Sequence, residues 1–466
     1  MKQLLSMTHF LKVQQQTVPK VVGKWGTAGR RRISAFRKEA KHMNRVLKGD
    51  IVYSRSKTSL QSCKDGYLVI EEGRCRGVFE KLPEKYQKIP LEDYTGHLII
   101  PGLVDLHLHA PQYTFRSLGM DLELLEWLNT HTFPQESRYQ DLEYAKKAYG
   151  MFAEDMRRSG TTRAVIFATI HPEATELLMD LMEESGICSY VGKVNMDRNS
   201  PDILYESSAN ESLRATRQWL EDTKDRYQRT KPILTPRFIP SCSDELMRGI
   251  GQLAREYGLP LQSHLSENKS EIAWVQELCP WSSCYGDAYD KAGAFGGEIK
   301  TIMAHCVWCP DEELELMKKR GVFVAHCPES NTNLSSGIAP VRRYLDEGIP
   351  TGLGSDVAGG TVLSIFKAME LAVQTSKLRW RLCDSSLKPL TVPEVFYMAT
   401  AGGGAFFGKV GSFEDGFEAD ALVLDESRVP TPLFAELSLE ERLERMIYLG
   451  CEQDIIHKYV AGFQLF

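Results

Sequence analysis

The sequence predicts an α/β protein: a (β/α)8, TIM-like barrel carrying a small discontinuous β domain built from both ends of the chain. Three observations predict it. Eight strand-like runs alternate with helical stretches between residues 98 and 355. Histidine and acidic residues collect at the C-terminal ends of those runs, the face on which such a barrel builds its active site. The segments on either side, 47–97 and 412–466, share a different texture of short strand candidates and polar turns.

In chain order, residues 1–46 form a basic leader. They carry eleven Lys and Arg against the single acid Glu39, a net +10, so the other 420 residues sum to −16 within the whole chain's −6. Arg30-Arg31-Arg32 and Arg37-Lys38 suit a targeting or nucleic-acid-binding tail. They suit better a disordered, dispensable leader, with Met43 as an alternative start just before the first strand. A basic tail on an acidic protein does not make it a nucleic-acid enzyme. Strand candidates 49–53 and 66–70 open the small β domain, and 419–425 and 458–462 complete it. Between them the catalytic domain is expected over 98–411, with strands at 98–107, 161–169, 188–196, 231–238, 259–265, 299–305, 321–327 and 349–355.

No run approaches the roughly 18 apolar residues that a membrane span needs. The eleven cysteines are odd in number and scattered. That suits reduced thiols in the cytoplasm better than a disulfide framework. Cys306-Val307-Trp308-Cys309 has no second two-residue-gap pair to complete a zinc ribbon, so it reads as packing and a loop thiol. The His-x-Glu and Pro-Cys-x-x-Cys pair of the cytidine-deaminase fold is missing.

Chemistry concentrates in a few segments. Pro101-Gly102-Leu103-Val104-Asp105-Leu106-His107-Leu108-His109 reads as a buried strand ending in His-x-His. Residues i and i+2 of a strand share a face, so both imidazoles project together, as half of a zinc site does. Arg237 ends the fourth expected strand, His264 the fifth, His305 the sixth and Asp356 the eighth. Structural histidines have no reason to gather at strand ends on one face.

These segments resemble the amidohydrolase superfamily, and more closely its guanine deaminase family. The resemblance rests on His107-Leu108-His109-Ala110-Pro111-Gln112-Tyr113, Glu126-Trp127-Leu128 with Thr132-Phe133-Pro134, Thr235-Pro236-Arg237-Phe238, Ser263-His264-Leu265-Ser266-Glu267, His326-Cys327-Pro328 with Ser330-Asn331, and 352–360. It covers roughly residues 47–466, with Glu329 where the family often has Asn and Ser355 where Thr is common. It implies one zinc per subunit on His107, His109, His264 and Asp356, with one position open to water. Superfamily members with two metals bridge them by a lysine ending the fourth strand; Arg237 and Phe238 stand there instead, and Lys193 on the third reads as a packing or salt-bridged residue.

The activity implied is hydrolysis of guanine to xanthine and ammonia by a cytoplasmic homodimer. Asp356 and His305 would hold the proton of the attacking water, and Glu267 would pass a proton to the ring nitrogen beside C2 and help ammonia leave. Gln112, Arg237 and Phe238 would face the purine, together with His109, His264, Glu267 and Asp356. Arg237 offers a fork of donors for the 6-oxo group, Gln112 a donor and an acceptor, and Phe238 an aromatic face. Trp127 suits closing the pocket and plain core packing equally. Two other readings stay open: a superfamily enzyme for another amino-heterocycle (8-oxoguanine, a pterin or a triazine), and a barrel that has lost its chemistry. The complete ligand set and Glu267 argue against the second.

Overall fold

A computed structural model of the chain describes residues 44–430, 432 and 436–466; the expected leader and Met43 lie outside them up to residue 43. Strand structure starts at Arg45, inside the expected leader, because Arg45 pairs with Ile70 on one neighbouring strand and reaches Glu92 with its side chain at 2.8 Å.

The first strands are β1 (Arg45–Ser56), β2 (Ser59–Glu71), β3 (Arg74–Phe79) and β4 (Leu91–Pro101). Parallel strands follow: β5 (Leu103–His109), β6 (Thr161–Phe167), β7 (Cys188–Gly192), β8 (Val194–Asn195), β9 (Thr230–Pro232), β10 (Thr235–Pro236), β11 (Leu261–Leu265), β12 (Thr301–His305), β13 (Phe323–His326) and β14 (Thr351–Leu353). The chain closes with β15 (Ala421–Leu424), β16 (Ile455–Val460) and β17 (Phe463–Gln464).

A seven-stranded sheet takes the order β17-β16-β15-β4-β1-β2-β3, so strands from both ends of the described chain meet in it. Alternate apolar residues, among them Leu47, Ile51, Ile99, Val423 and Tyr459, pack a core of its own. The helix Leu439–Leu449, capped by Ser438 and Glu441, packs against β1 and β2; the expectation of short strands here passed over its Ser438-x-x-Glu441 start signal. The run expected as a strand over 98–107 is divided. Residues 98–101 finish β4 in the seven-stranded sheet, and β5 starts after Gly102. A side chain at 102 would stand 2.3 Å from Thr162, so only glycine allows this junction.

Two four-stranded parallel sheets, β5-β6-β7-β9 and β11-β12-β13-β14, carry the functional strand ends. Leu234, just past β9, accepts from the Gln262 amide at 2.9 Å and donates to Pro260. On the other edge the Asp356 amide donates to His107 at 2.9 Å, and His109 donates to Val357 at 3.0 Å. Backbone hydrogen bonds therefore join both edges of one sheet to the other. The expected strands at 188–196 and 231–238 are each interrupted (β7/β8 and β9/β10); Pro232 and Pro236 supply no N–H to continue a ladder. Val104, Leu106, Val165, Ile302, Ala304 and Ala325 fill the interior behind the strand ends, with Phe406 wedged against Phe323. Among the described residues no helix is long and apolar enough to cross a membrane.

Candidate functional site

The strand ends place the site. Between Asp105 and Leu108 the register of β5 against β6 slips by one residue. Val104 and Leu106 face the interior before this bulge, and after it His107 and His109 point to the same interior, meeting His264. Bulges re-aim side chains in this way beside functional sites. Asp105 ties down the opposite edge: its carboxylate accepts from the amides of Ser355 (3.0 Å) and His107 (3.2 Å) and from the Ser355 hydroxyl (2.5 Å). Gly354 completes the approach, since a Cβ there would sit 3.0 Å from the His107 Cβ. His305 (φ 69°) and Asp356 (φ 47°) occupy the left-handed region that side chains other than glycine rarely adopt. Such strain persists only where the surroundings enforce it, and it clusters at functional sites.

Four donor atoms converge. The Oδ1 of Asp356 lies 3.1 Å from His107 Nε2 and 3.3 Å from His109 Nε2, and His109 Nε2 lies 3.3 Å from His264 Nε2. Four ligands at zinc bond lengths of about 2.0–2.1 Å stand about 3.3 Å apart around a tetrahedron. Burial pushes the His107 and His264 imidazoles down, His109 to about 4, so all three are neutral. Burial would raise Asp356, but His107, His109 and His305 around it outweigh this and hold it well below the usual carboxylate range. His264 donates its Nδ1–H to the Arg237 carbonyl at 2.6 Å, which leaves the Nε2 lone pair facing the cluster. Lone pairs on neutral imidazoles and an ionised carboxylate repel each other unless a cation sits between them. His107 also keeps both ring nitrogens buried without a hydrogen-bond partner. The donor set fits a metal ion. His305 approaches the same cluster: its Nδ1 meets Asn331 Oδ1 at 2.9 Å, and its Nε2 lies 3.4 Å from Glu267 and 3.8 Å from Asp356 Oδ2.

Glu267 is 3% exposed, so its carboxyl is not a solvated loop acid. Burial, and then the charge of Asp356, push it up to about 8, although the Ser336 hydroxyl donates to it at 2.8 Å. Behind it, Glu271 accepts from the Glu267 amide at 3.1 Å and from the Tyr285 hydroxyl at 2.7 Å.

One pocket joins these groups to the residues expected to meet a substrate. His109, His264, Glu267, His305 and Asp356 line it together with Gln112, Arg237, Phe238, Trp127, Leu124 and Leu334. Trp127 answers both of its expectations: it is 2% exposed, its indole donates to Leu118 at 2.9 Å, and its ring borders the pocket. Gln112 is less free than its chemistry suggested. Its Nε2 donates to Glu136 at 2.8 Å and its Oε1 accepts from the Ala358 amide at 3.1 Å. Arg237 donates from one guanidinium nitrogen to the other oxygen of Glu136 at 2.6 Å. Lys193 is fully buried and pairs with Glu206 at 2.5 Å, away from the pocket lining. Cys306 is buried, Cys309 partly so, and all eleven cysteines are free thiols.

Sequence reasoning missed Asp105, Glu136, Glu271 and Ser336, and gave Asn331 no role. Only Glu136 left a trace, two residues beyond the Thr132-Phe133-Pro134 segment.

Comparison with known proteins follows the same lines. The amidohydrolase family profile matches residues 98–463. Guanine deaminase of Dictyostelium discoideum is 39% identical over 79% of this chain and 83% of its own. The Homo sapiens guanine deaminase is 36% identical over 90% and 96%. A crystal structure of guanine deaminase from C. acetobutylicum with guanine bound in the active site superposes with a TM-score of 0.88, at 46% identity over 91% of this chain and 100% of that one.

Proposed function

Because the chain belongs to the amidohydrolase family and, within it, to the guanine deaminases, we propose that it hydrolyses guanine to xanthine and ammonia in the pocket described above. The observation that carries this reading is the meeting, in one buried pocket, of a metal-shaped donor set, a protonated glutamic acid and a guanidinium fork.

In this reading His107, His109, His264 and Asp356 hold one zinc ion per subunit. A bound zinc brings the pKa of a coordinated water down toward neutrality. His305 Nε2 lies 3.8 Å from Asp356 Oδ2, and these two groups would take up the proton of the attacking water; the Asn331 carbonyl, by accepting Nδ1–H, keeps Nε2 of His305 as the acceptor. Glu267, protonated at neutral pH, delivers a proton to the ring nitrogen beside C2 as oxygen adds to C2. Its carboxylate then takes the proton of the new C2 hydroxyl and passes it to the amino group, so the C2–N bond breaks, ammonia leaves and the oxygen remains as the C2 carbonyl of xanthine; the proton held at Asp356 and His305 restores Glu267. Arg237 donates to the 6-oxo group, the remaining Gln112 N–H faces the purine edge, and Phe238 lies against the ring.

The reading also includes a closed (β/α)8 barrel over 98–411 with a small β domain from 47–97 and 412–466, supported by the joined sheet edges and the seven-stranded sheet. Free thiols support a cytoplasmic location. The homodimer rests on family resemblance alone.

The test is deamination of guanine by purified protein, followed by ammonia release and xanthine absorbance. Turnover should stop on chelation and return with zinc. A sample shown to hold its metal but unable to turn over guanine would move the assignment to another amino-heterocycle.

A further inference from the structure

Glu136 is 2% exposed and lies 101 residues from Arg237 in sequence and 24 from Gln112, yet it is hydrogen-bonded to both side chains. Its two oxygens are divided between them, Oε2 to the Arg237 guanidinium at 2.6 Å and Oε1 to the Gln112 amide at 2.8 Å. Phe133, one helical turn earlier, lies under the same guanidinium, 5.1 Å from ring centre to Cζ. A cation held between a carboxylate and an aromatic face loses most of its rotational freedom. The far end of Gln112 is pinned as well, by the Ala358 amide. A buried carboxylate is costly unless its partners are fixed, so this arrangement is an organised element of the pocket.

Resting on the guanine reading, we propose that Glu136 is the positioning residue for purine selectivity. It does not touch the substrate. It aims the free donors of Arg237 and Gln112 at one edge of the ring and thereby sets the preference for a 6-oxo purine over one lacking that oxygen. Without it, Arg237 would still carry its charge, but its fork would no longer be held in one orientation. Contacts held in a fixed geometry discriminate between substrates; a mobile cation discriminates weakly.

The experiment compares wild type with Glu136→Gln and Glu136→Asp, measuring kcat and KM for guanine, the inhibition constant of 2-aminopurine, and bound zinc. Glu136→Gln should raise KM for guanine on the order of tenfold to a hundredfold, the scale of one charge-assisted hydrogen bond. Zinc content should stay at the wild-type level and kcat should change far less than KM. The inhibition constant of 2-aminopurine, which has no 6-oxo group to lose, should move only a few-fold, so the selectivity ratio collapses. Glu136→Asp, which keeps the carboxylate, should recover part of it. Equal losses for both purines, or a fall in kcat at constant KM, would assign Glu136 to general structure and overturn the proposal. Thermal unfolding and 2-aminopurine binding show whether each variant is folded. Wild-type protein that ignores guanine altogether would remove the functional reading, and this inference with it.

Discussion

The two sides of the pocket are built on different plans. The metal-facing side comes from strand ends: His107 and His109 on β5, His264 on β11, and Asp356 just after β14. Backbone groups contribute to each: the Asp356 amide donates to the His107 carbonyl, the His109 amide to Val357, and the His264 ring meets the Arg237 carbonyl, while the Asp105 side chain clasps the amides of His107 and Ser355. The groups proposed to face the purine are held chiefly by side chains, with Gln112 pinned also by the Ala358 amide. Gln112, Arg237 and Glu136 fix one another across long stretches of sequence, and Trp127 and Phe133 come from a run of short helical turns over 124–140. Backbone anchoring makes the chemical half tolerant of change in its neighbours. Side-chain anchoring makes the recognition half adjustable but interdependent.

Substitutions can break this contrast. The largest effect is expected from Glu267→Gln. Turnover should fall by about two to four orders of magnitude, the usual weight of a positioned acid–base group, with zinc and guanine binding retained. Loss of metal in that variant would make Glu267 a ligand and blur the line between the halves. Next, Arg237→Ala should lower kcat/KM for guanine about a hundredfold, mainly through KM. Bound zinc should remain, because His264 is oriented by the carbonyl of residue 237 and not by its side chain. The same variant leaves the Glu136 carboxylate buried without its cation, with only the Gln112 amide still donating to it, which should cost about 3–5 kcal/mol of stability in urea unfolding. Zinc loss on this substitution would show that the halves are not separately anchored.

A further expected effect is a pH dependence of the metal-free protein. Folding raises Glu267 to about 8 and Glu271 to about 7, both chiefly through burial, against an unfolded value of about 4.3. The folded state therefore keeps protons that the unfolded chain releases. The stability these groups contribute is complete below pH about 4.3 and is lost as pH rises toward about 8, with a slope approaching 1.4 kcal/mol per pH unit for each. Chemical denaturation across that range should show the decline, and Glu267→Gln should flatten it. An unchanged slope would mean that the carboxyl is not desolvated as its surroundings imply.

The contrast also explains what the sequence could tell. Strand-like runs end in polar residues that stand out against them, so His107, His109, His264, His305 and Asp356 are visible as candidates in the sequence, and so is the alternation of strand and helix. Junctions were harder. The run 98–104 is apolar on both sides of the junction, and only Pro101-Gly102 marks where the chain leaves one sheet for another. The capped helix 439–449 interrupts a segment whose strands dominate its composition. Glu136 was illegible for a different reason. A carboxylate near a helix end is ordinary by itself, and its meaning depends on two partners brought to it only by the closed arrangement of strands.

Residue 237 makes two contacts by different means: its carbonyl meets the His264 ring, proposed as a metal ligand, and its guanidinium, proposed to address the purine, is held by Glu136. Inheritance treats these contacts unequally. Every codon supplies the same carbonyl, and only the side chain varies. A lineage can therefore try new ring substrates by single changes at this position while the hydrolytic apparatus beneath stays assembled. Variants that fail at recognition keep a working centre, ready for a different ring.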